Sequence, residues 1–367
     1  MAEWTGRVVL VLASSTGGIG VHVASLVEGL AGPQGAGARV FVAGPAATDR
    51  QFRFTERGAT FTPVEIPANP HPSDMRAVRG LRQLISQVRP DIVHAHGLRA
   101  GLASTLARPS CPLVVTWHNT PLRSGLRGRV HTVLERIVGR AANVTLCASN
   151  DLVERAKAAG ATDARLAPVA APAPHRSKRT RSAMRAHLGV EDGTLLVLSV
   201  GRLHPQKGYS TLIEAAARWR DLKPVPRVFI AGAGPSYLDL AAQISQLRAP
   251  VTLLGHRTDV GDLLVAADLA VVTSIWEARQ LFAQEAMISG VPLLATAVGG
   301  IPELVGEGAE LIPPSDVDAL DRAFRRLASD PSRRSDLALS GTQKAATWPN
   351  EQSTIGGVLD VYTELAG

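Results

Sequence analysis

Short apolar runs alternate with amphipathic segments along almost the whole chain. In the first half, Arg7–Ala13, Arg39–Ala43, Ala59–Ile66, Asp91–Ala95, Leu113–Trp117 and Val144–Ala148 read as strands. Their near-continuous apolar character predicts strands buried on both faces, as in a parallel sheet. Between them lie the helix candidates Gly20–Leu30, Asp74–Val88, Leu126–Arg140 and Asn150–Ala159. In the first of these Val23, Leu26, Val27 and Leu30 form one apolar stripe. The alternation resumes with strands at Leu195–Val200, Arg227–Ala231, Val251–Leu254, Leu269–Thr273, Val291–Ala295 and Glu310–Ile312. Strands alternating with helices in both halves predict an α/β protein of two doubly wound domains.

The alternation breaks once. Ala167–Arg185 runs from a Pro-rich stretch into the basic H-R-S-K-R-T-R-S before helical character returns near Met184. We read residues 1–172 as one domain, 173–192 as a linker, 193–347 as the second domain and 348–367 as a C-terminal helix. The length of 367 residues suits two domains, and 34 glycines suit many tight strand–helix turns. Val8–Ala13 is too short for a secretory signal and reads as a buried first strand. No uncharged stretch approaches the ~20 residues of a transmembrane helix, so a cytoplasmic location is expected. Cys111 and Cys147 match no metal spacing and read as reduced, buried thiols.

Net charge of +7 points to acidic partners. Aromatic residues make up only 4% and no basic patch is interleaved with them, which argues against nucleic acid. Two segments suggest a nucleoside diphosphate instead. The first, Ser199–Tyr209, is S-V-G-R-L-H-P-Q-K-G-Y, a strand, glycine turn, two cations and a helix start. Arg202 offers a planar fork to phosphate and Lys207 a compact charge. The second runs from Trp276 to Pro292 and carries Glu277 and Glu285 around the start of a helix. Two carboxylates can hold two separated hydroxyl clusters, and the helix N-terminus between them favours phosphate. Sugar, diphosphate and ribose in that order describe a nucleotide sugar.

With G-G-I-G-V-H-V at Gly17–Val23, W-H-N at Trp117–Asn119, G-R-L-H-P-Q-K-G at Gly201–Gly208, E-x7-E at Glu277–Glu285 and G-V-P-L-L-A-T-A-V-G-G-I-P-E-L-V at Gly290–Val305, the chain resembles the retaining, nucleotide-sugar-dependent glycosyltransferases of family four, bacterial type. The resemblance implies the GT-B fold, two Rossmann-like domains facing each other across a deep cleft, with the last helix (about Glu351–Leu365) crossing back onto the first domain. It implies a hexosyl-type transfer from a UDP-sugar or GDP-sugar with retention of configuration, and a role in cell-envelope glycoconjugate synthesis.

Residue by residue, it implies that Arg202 and Lys207 stabilise the leaving diphosphate, Glu277 positions the sugar and His118 contacts the sugar from the other domain. Gly17, Gly18, Gly201, Ala278, Arg279, Gln280, Leu281 and Glu285 would line the donor, with Glu285 on the ribose. His94, His96 and Asn119 would lie on the acceptor side. His94 and His96 are two apart but have no third ligand of suitable spacing, and Asp316-Val-Asp318 reads as a helix cap, so neither a metal nor a cofactor is expected.

Glu277-Ala278-Arg279-Gln280 departs from the family's E-G-F-G or E-S-F-G. Gln280 stands where glycine freedom would be expected, and Arg279 adds a cation near the sugar. The acceptor is expected to be lipid-linked or a small metabolite. Arg76, Arg79, Arg82 and Arg89, with Arg123, Arg127, Arg129, Arg136 and Arg140, offer a basic face for peripheral contact with the inner membrane surface. An epimerase of the same architecture, or a weakly active nucleotide-sugar-binding protein, is the alternative.

Overall fold

The computed structural model describes residues 4–15, 17–33, 35–67, 69, 71, 73–119, 125–170 and 179–367, with the backbone alone at 125–127. The chain divides into two compact units, Met1–Ala170 with Pro349–Gly367, and Ala171–Trp348.

The first unit is built on seven parallel strands: β1 (Arg7–Leu12), β2 (Arg39–Gly44), β3 (Thr60–Pro63), β4 (Ile92–His96), β5 (Leu113–Trp117), β6 (Val144–Cys147) and β7 (Ala164–Leu166). Their order is β3-β2-β1-β4-β5-β6-β7. Strands β4, β5 and β6 are buried along their full length, which is why they read as unbroken apolar runs. Strand β7 has no counterpart among the sequence expectations. It is three residues long, partly exposed, and pairs on one side only with β6.

The helix Glu351–Ala366 belongs to this unit. Ile355, Val358, Leu359, Val361 and Tyr362 join the core around β1, β2 and the helix Gly18–Ala31. Polar contacts fix both ends of the helix. Ser25 Oγ donates to Glu351 Oε1 at 2.8 Å, and Arg165 grips Glu364 through two bonds of 2.6 and 2.7 Å.

The second unit holds β8 (Leu196–Val200), β9 (Arg227–Ala231), β10 (Val251–Gly255), β11 (Leu269–Val272), β12 (Leu293–Thr296) and β13 (Ala309–Ile312), all parallel, in the order β10-β9-β8-β11-β12-β13. Alternate strand residues feed two cores. Leu196, Leu198, Ala270 and Val272 enter one, and Val197, Leu269 and Val271 the other. Residues 173–178 of the expected linker lie outside the described residues. Arg181–His187, also placed in the linker, is a helix of the second unit, with Met184 fully buried and Arg185 paired to Asp268 at 3.0 Å. Asp316 caps the helix Val317–Ser329 by accepting from the Ala319 amide, as the capping interpretation requires.

In both sheets the winding reverses beside the first strand, between β1 and β4 and between β8 and β11. A crevice opens outside the carboxyl ends of strands at such a reversal, the usual ligand position in open α/β sheets. Among the described residues, no helix is long and apolar enough to cross a membrane.

Candidate active site

In the second unit the reversal brings together the turn after β8 and the loop after β11. Lys207 Nζ donates to Glu277 Oε1 at 2.6 Å, and Ser274 Oγ donates to the same oxygen at 2.7 Å. Backbone and side-chain bonds lock the two segments. The Ile275 amide donates to the Gln206 carbonyl at 2.8 Å, Gln206 Nε2 to the Trp276 carbonyl at 2.9 Å, and Thr273 Oγ1 to the Lys207 carbonyl at 3.0 Å. Ser274 and Gln206 were not anticipated from sequence. Each lies within three residues of a candidate, and that nearness was the available signal.

Two glycines make this close approach possible. A Cβ at Gly208, where φ is 63°, would lie 2.0 Å from the Thr273 carbonyl oxygen, and one at Gly299, φ 51°, 2.0 Å from that of Glu277. The Gly300 amide also donates to the Glu277 carbonyl at 2.9 Å. The Gly299-Gly300 pair therefore backs the Glu277 loop. Gly201 follows β8 directly, and Arg202 is exposed on the same turn.

The helix after this loop is Leu281–Ile288. Gln280 is its N-cap, with a φ of −73°, and its side chain accepts from the Ala283 amide at 3.1 Å. The expectation that glycine freedom is needed at 280 is thus corrected, because the backbone there is ordinary extended chain that a capping residue suits. The amides of Leu281 and Phe282 have no described partner, and they carry the positive end of the helix. Ala278 is buried beside them. Glu285 sits one turn into the helix. Its carboxylate has no hydrogen-bond or ion-pair partner among the described residues, and burial pushes its pKa from 4.5 up to about 7.

Arg279 was expected to place a cation beside the sugar. Its guanidinium instead packs over the Trp348 ring, 5.6 Å from the centroid, and Trp348 is itself fixed by donating to the Leu304 carbonyl at 3.0 Å. Burial lowers the Arg279 pKa to about 10, offset in part by Glu303.

In the first unit Gly17 caps the helix Gly18–Ala31, and both Gly17 and Gly18 are exposed beyond β1. His96 ends β4, His118 follows β5 and Asn119 is exposed next to it. His94 is not an acceptor contact. It is fully buried, with Nδ1 2.7 Å from Tyr362 Oη and Nε2 2.6 Å from Thr116 Oγ1, so both nitrogens are spent within the core. Desolvation, aided by His22, lowers its pKa to about 3.

His96 Nδ1 lies 3.2 Å from His118 Nε2. His22, from the helix Gly18–Ala31, completes the group, its ring centroid 5.2 Å from that of His118 and 5.6 Å from that of His96. His22, His96 and His118 bring one ring nitrogen each within 4.8 Å of one another. The histidines that could share an ion are thus His22, His96 and His118, without His94, and they come from segments far apart along the chain, which spacing could not reveal. Burial lowers the pKa of all three, that of His22 to about 4, and the mutual repulsion of the histidines lowers His96 and His118 further.

The chain is similar to known proteins over most of its length. Residues 17–172 match the family described as glycosyl transferase 4-like domain, and residues 180–344 the glycosyl transferases group 1. The glycogen synthase of Mycobacterium tuberculosis (strain CDC 1551 / Oshkosh) is 30% identical over 295 residues, 75% of this chain and 69% of that one. The D-inositol 3-phosphate glycosyltransferase of Salinispora arenicola (strain CNS-205) is 30% identical over 312 residues, covering 75% and 68%. Among solved structures, Anabaena HepE in complex with UDP and glucose superimposes with a TM-score of 0.84 at 21% identity, covering 98% of this chain and all of that one. The fold is GT-B.

Proposed function

The chain belongs to the group 1, family-4-type glycosyltransferases, and from that premise we propose that it moves a sugar from a nucleoside diphosphate to an acceptor hydroxyl with retention of configuration and without a metal. The observation that carries this reading is the locked Lys207–Glu277 pair beside a capped helix start, with the unpartnered Glu285 carboxylate one turn above. Arg202 and Lys207 offset the charge that develops on the departing diphosphate. The amides of Leu281 and Phe282 face phosphate, and Glu285 accepts from the ribose hydroxyls. Glu277 holds the sugar and favours positive charge growing at its ring. His118 supplies a further sugar contact, and the leaving phosphate takes the acceptor proton.

UDP is the donor nucleotide this reading favours, because HepE is described in complex with UDP and with UDP-glucose. No observation favours an epimerase.

We assign the acceptor to a membrane-associated or anionic class on one feature of the first unit. The helix Gly125–Ala141 exposes Val130, Val133 and Ile137 at 48%, 51% and 41%, in one stripe with the exposed Arg129, Arg136 and Arg140. Apolar residues flanked by arginines suit an anionic interface. The other basic helix, Asp74–Val88, supports this less, since Arg82 donates to the carbonyls of Leu106 and Ala107. Arg123 and the side chain of Arg127 lie outside the described residues.

The test is to incubate the protein, with a chelator present, with a panel of UDP- and GDP-sugars and candidate acceptors, and to weigh the products. Arg202→Ala should weaken UDP binding by ~1.5–3 kcal/mol, the range for bonds to charged groups. Strict dependence of binding on a divalent ion would sink the metal-free site. Failure to sediment with anionic vesicles at low salt would move the acceptor to the soluble class.

A further inference from the structure

His96 and His118 share a single hydrogen, and its position decides what His118 can offer. The 3.2 Å between His96 Nδ1 and His118 Nε2 is an N–H···N distance, so one ring donates and the other accepts. The deciding atom is the far nitrogen of His96. His96 Nε2 is buried and has no hydrogen-bond partner. Were His118 the donor, His96 Nδ1 would be the acceptor and its own hydrogen would have to sit on Nε2, leaving an N–H buried and unpaired. Orphaned buried N–H groups are the rarest and most unfavourable kind. With His96 donating instead, only a lone pair is left unmatched at Nε2.

The neighbouring rings cannot relieve that orphan. His94 stacks against His96 at a centroid distance of 4.2 Å, but its two nitrogens are engaged by Tyr362 and Thr116. His22 meets His96 edge-on at 5.6 Å without a hydrogen bond to it. A metal held through His96 Nδ1 would produce the same orphaned N–H, since a ligating histidine ordinarily donates its other nitrogen to an acceptor. The bond made by one imidazole nitrogen fixes the tautomer of the ring. His118, whose Nε2 is taken as an acceptor, must carry its hydrogen on Nδ1.

We infer that His96 is a positioning residue, which donates its Nδ1–H to His118 Nε2 and so holds His118 in the Nδ1–H form, presenting the substrate with a hydrogen-bond donor and not a basic nitrogen. This rests on the reading of His118 as a sugar contact and deepens it. His118 then polarises or orients a sugar oxygen and does not act as a general base. The lone pair that a base would need is already engaged by His96.

The test reads the tautomer directly. Protein labelled with nitrogen-15 at histidine, assigned with single-histidine variants, should show His118 with a protonated Nδ1 and an unprotonated Nε2 near neutral pH. In His96→Leu the Nε2–H form of His118 should become the majority species. Turnover at saturating donor should fall at least tenfold while the donor KM moves less than threefold. His96→Asn, whose amide nitrogen can stand where Nδ1–H stood, should restore the Nδ1–H form and bring turnover to within threefold of the parent. Unchanged UDP affinity certifies that the variants are folded.

Finding His118 as Nε2–H in the parent protein, an unaltered tautomer in His96→Leu, or metal in stoichiometric amount at these nitrogens would overturn the inference. The parent reading stands or falls separately. Full turnover in His118→Ala would remove His118 from the reaction whatever its tautomer.

Discussion

Glu285 is placed so that it destabilises the ligand-free protein, and this can be measured. Its carboxylate is largely buried without a described partner, and burial raises its pKa from 4.5 to about 7. A group with a higher pKa folded than unfolded binds more protons in the folded state. Stability is therefore full below pH ~4.5, falls by about 1.4 kcal/mol for each pH unit above it, and levels off once pH passes about 7. The span of roughly 2.5 units amounts to ~3 kcal/mol lost at neutral and higher pH.

Glu285→Gln keeps the shape and abolishes the ionisation. Urea unfolding of both proteins across this pH range should give equal stabilities near the acid end. A gap should then open in favour of the variant and approach ~3 kcal/mol above neutrality. The same variant should bind UDP more weakly, since a neutral amide accepts ribose hydrogen bonds less strongly than a carboxylate. Wild-type affinity should also gain a rise with pH toward about 7 that the variant lacks, and the variant cancels any titration of UDP itself. A gain in stability with a loss of binding is the expected signature of a functional group held under strain by burial. Parallel stability profiles, or a variant less stable at alkaline pH, would refute the reasoning.

Five further outcomes follow from single substitutions. Glu277→Gln should lower turnover at least a hundredfold and move UDP affinity less than threefold, measured by steady-state kinetics and calorimetry. Lys207→Met should instead destabilise the fold by about 3 kcal/mol, because it strands a buried carboxylate that now relies on Ser274. Gly208→Ala should cost on the order of 2 kcal/mol or more through its positive φ and the Thr273 carbonyl. Gly17→Ala, with nothing within 4 Å of the added methyl, should stay within about 0.5 kcal/mol of the parent, so any loss of turnover there reports ligand contact. Tyr362→Phe should destabilise by ~1–3 kcal/mol in thermal unfolding, by leaving His94 Nδ1 unpaired in the core, while activity per folded molecule is retained.

What the chain's pattern made legible was whatever depends on local order. Buried parallel strands announce themselves as apolar runs, and Leu113–Trp117, Arg227–Ala231 and the helix Asp74–Val88 have the bounds their patterns imply. Among the described strands only β7 escaped, because three residues, none of them buried, carry too little pattern to read. The candidate site divides along the same line. Lys207 and Glu277 are 70 residues apart, yet each follows a strand, and the topology of the sheet makes those two strands neighbours. Position relative to a strand end thus put both on the ligand side of the sheet, while their ion pair follows from the strand order.

The histidines resisted for the opposite reason. His94 and His96 look equivalent along β4, but one is consumed by a tyrosine 268 residues away and the other meets the ring that follows the next strand. That His94 is spent in the core depends on where the last helix of the chain packs, a fact of tertiary structure that no local spacing carries. Gln280 shows a milder form of the same limit. Its side chain could be read as an intrusion where glycine was expected, until the backbone revealed a helix cap that glycine would have filled less well. Residues whose role lies in their own backbone or strand end are readable in advance. Those whose role is to complete another residue become readable only when the partner's position is known.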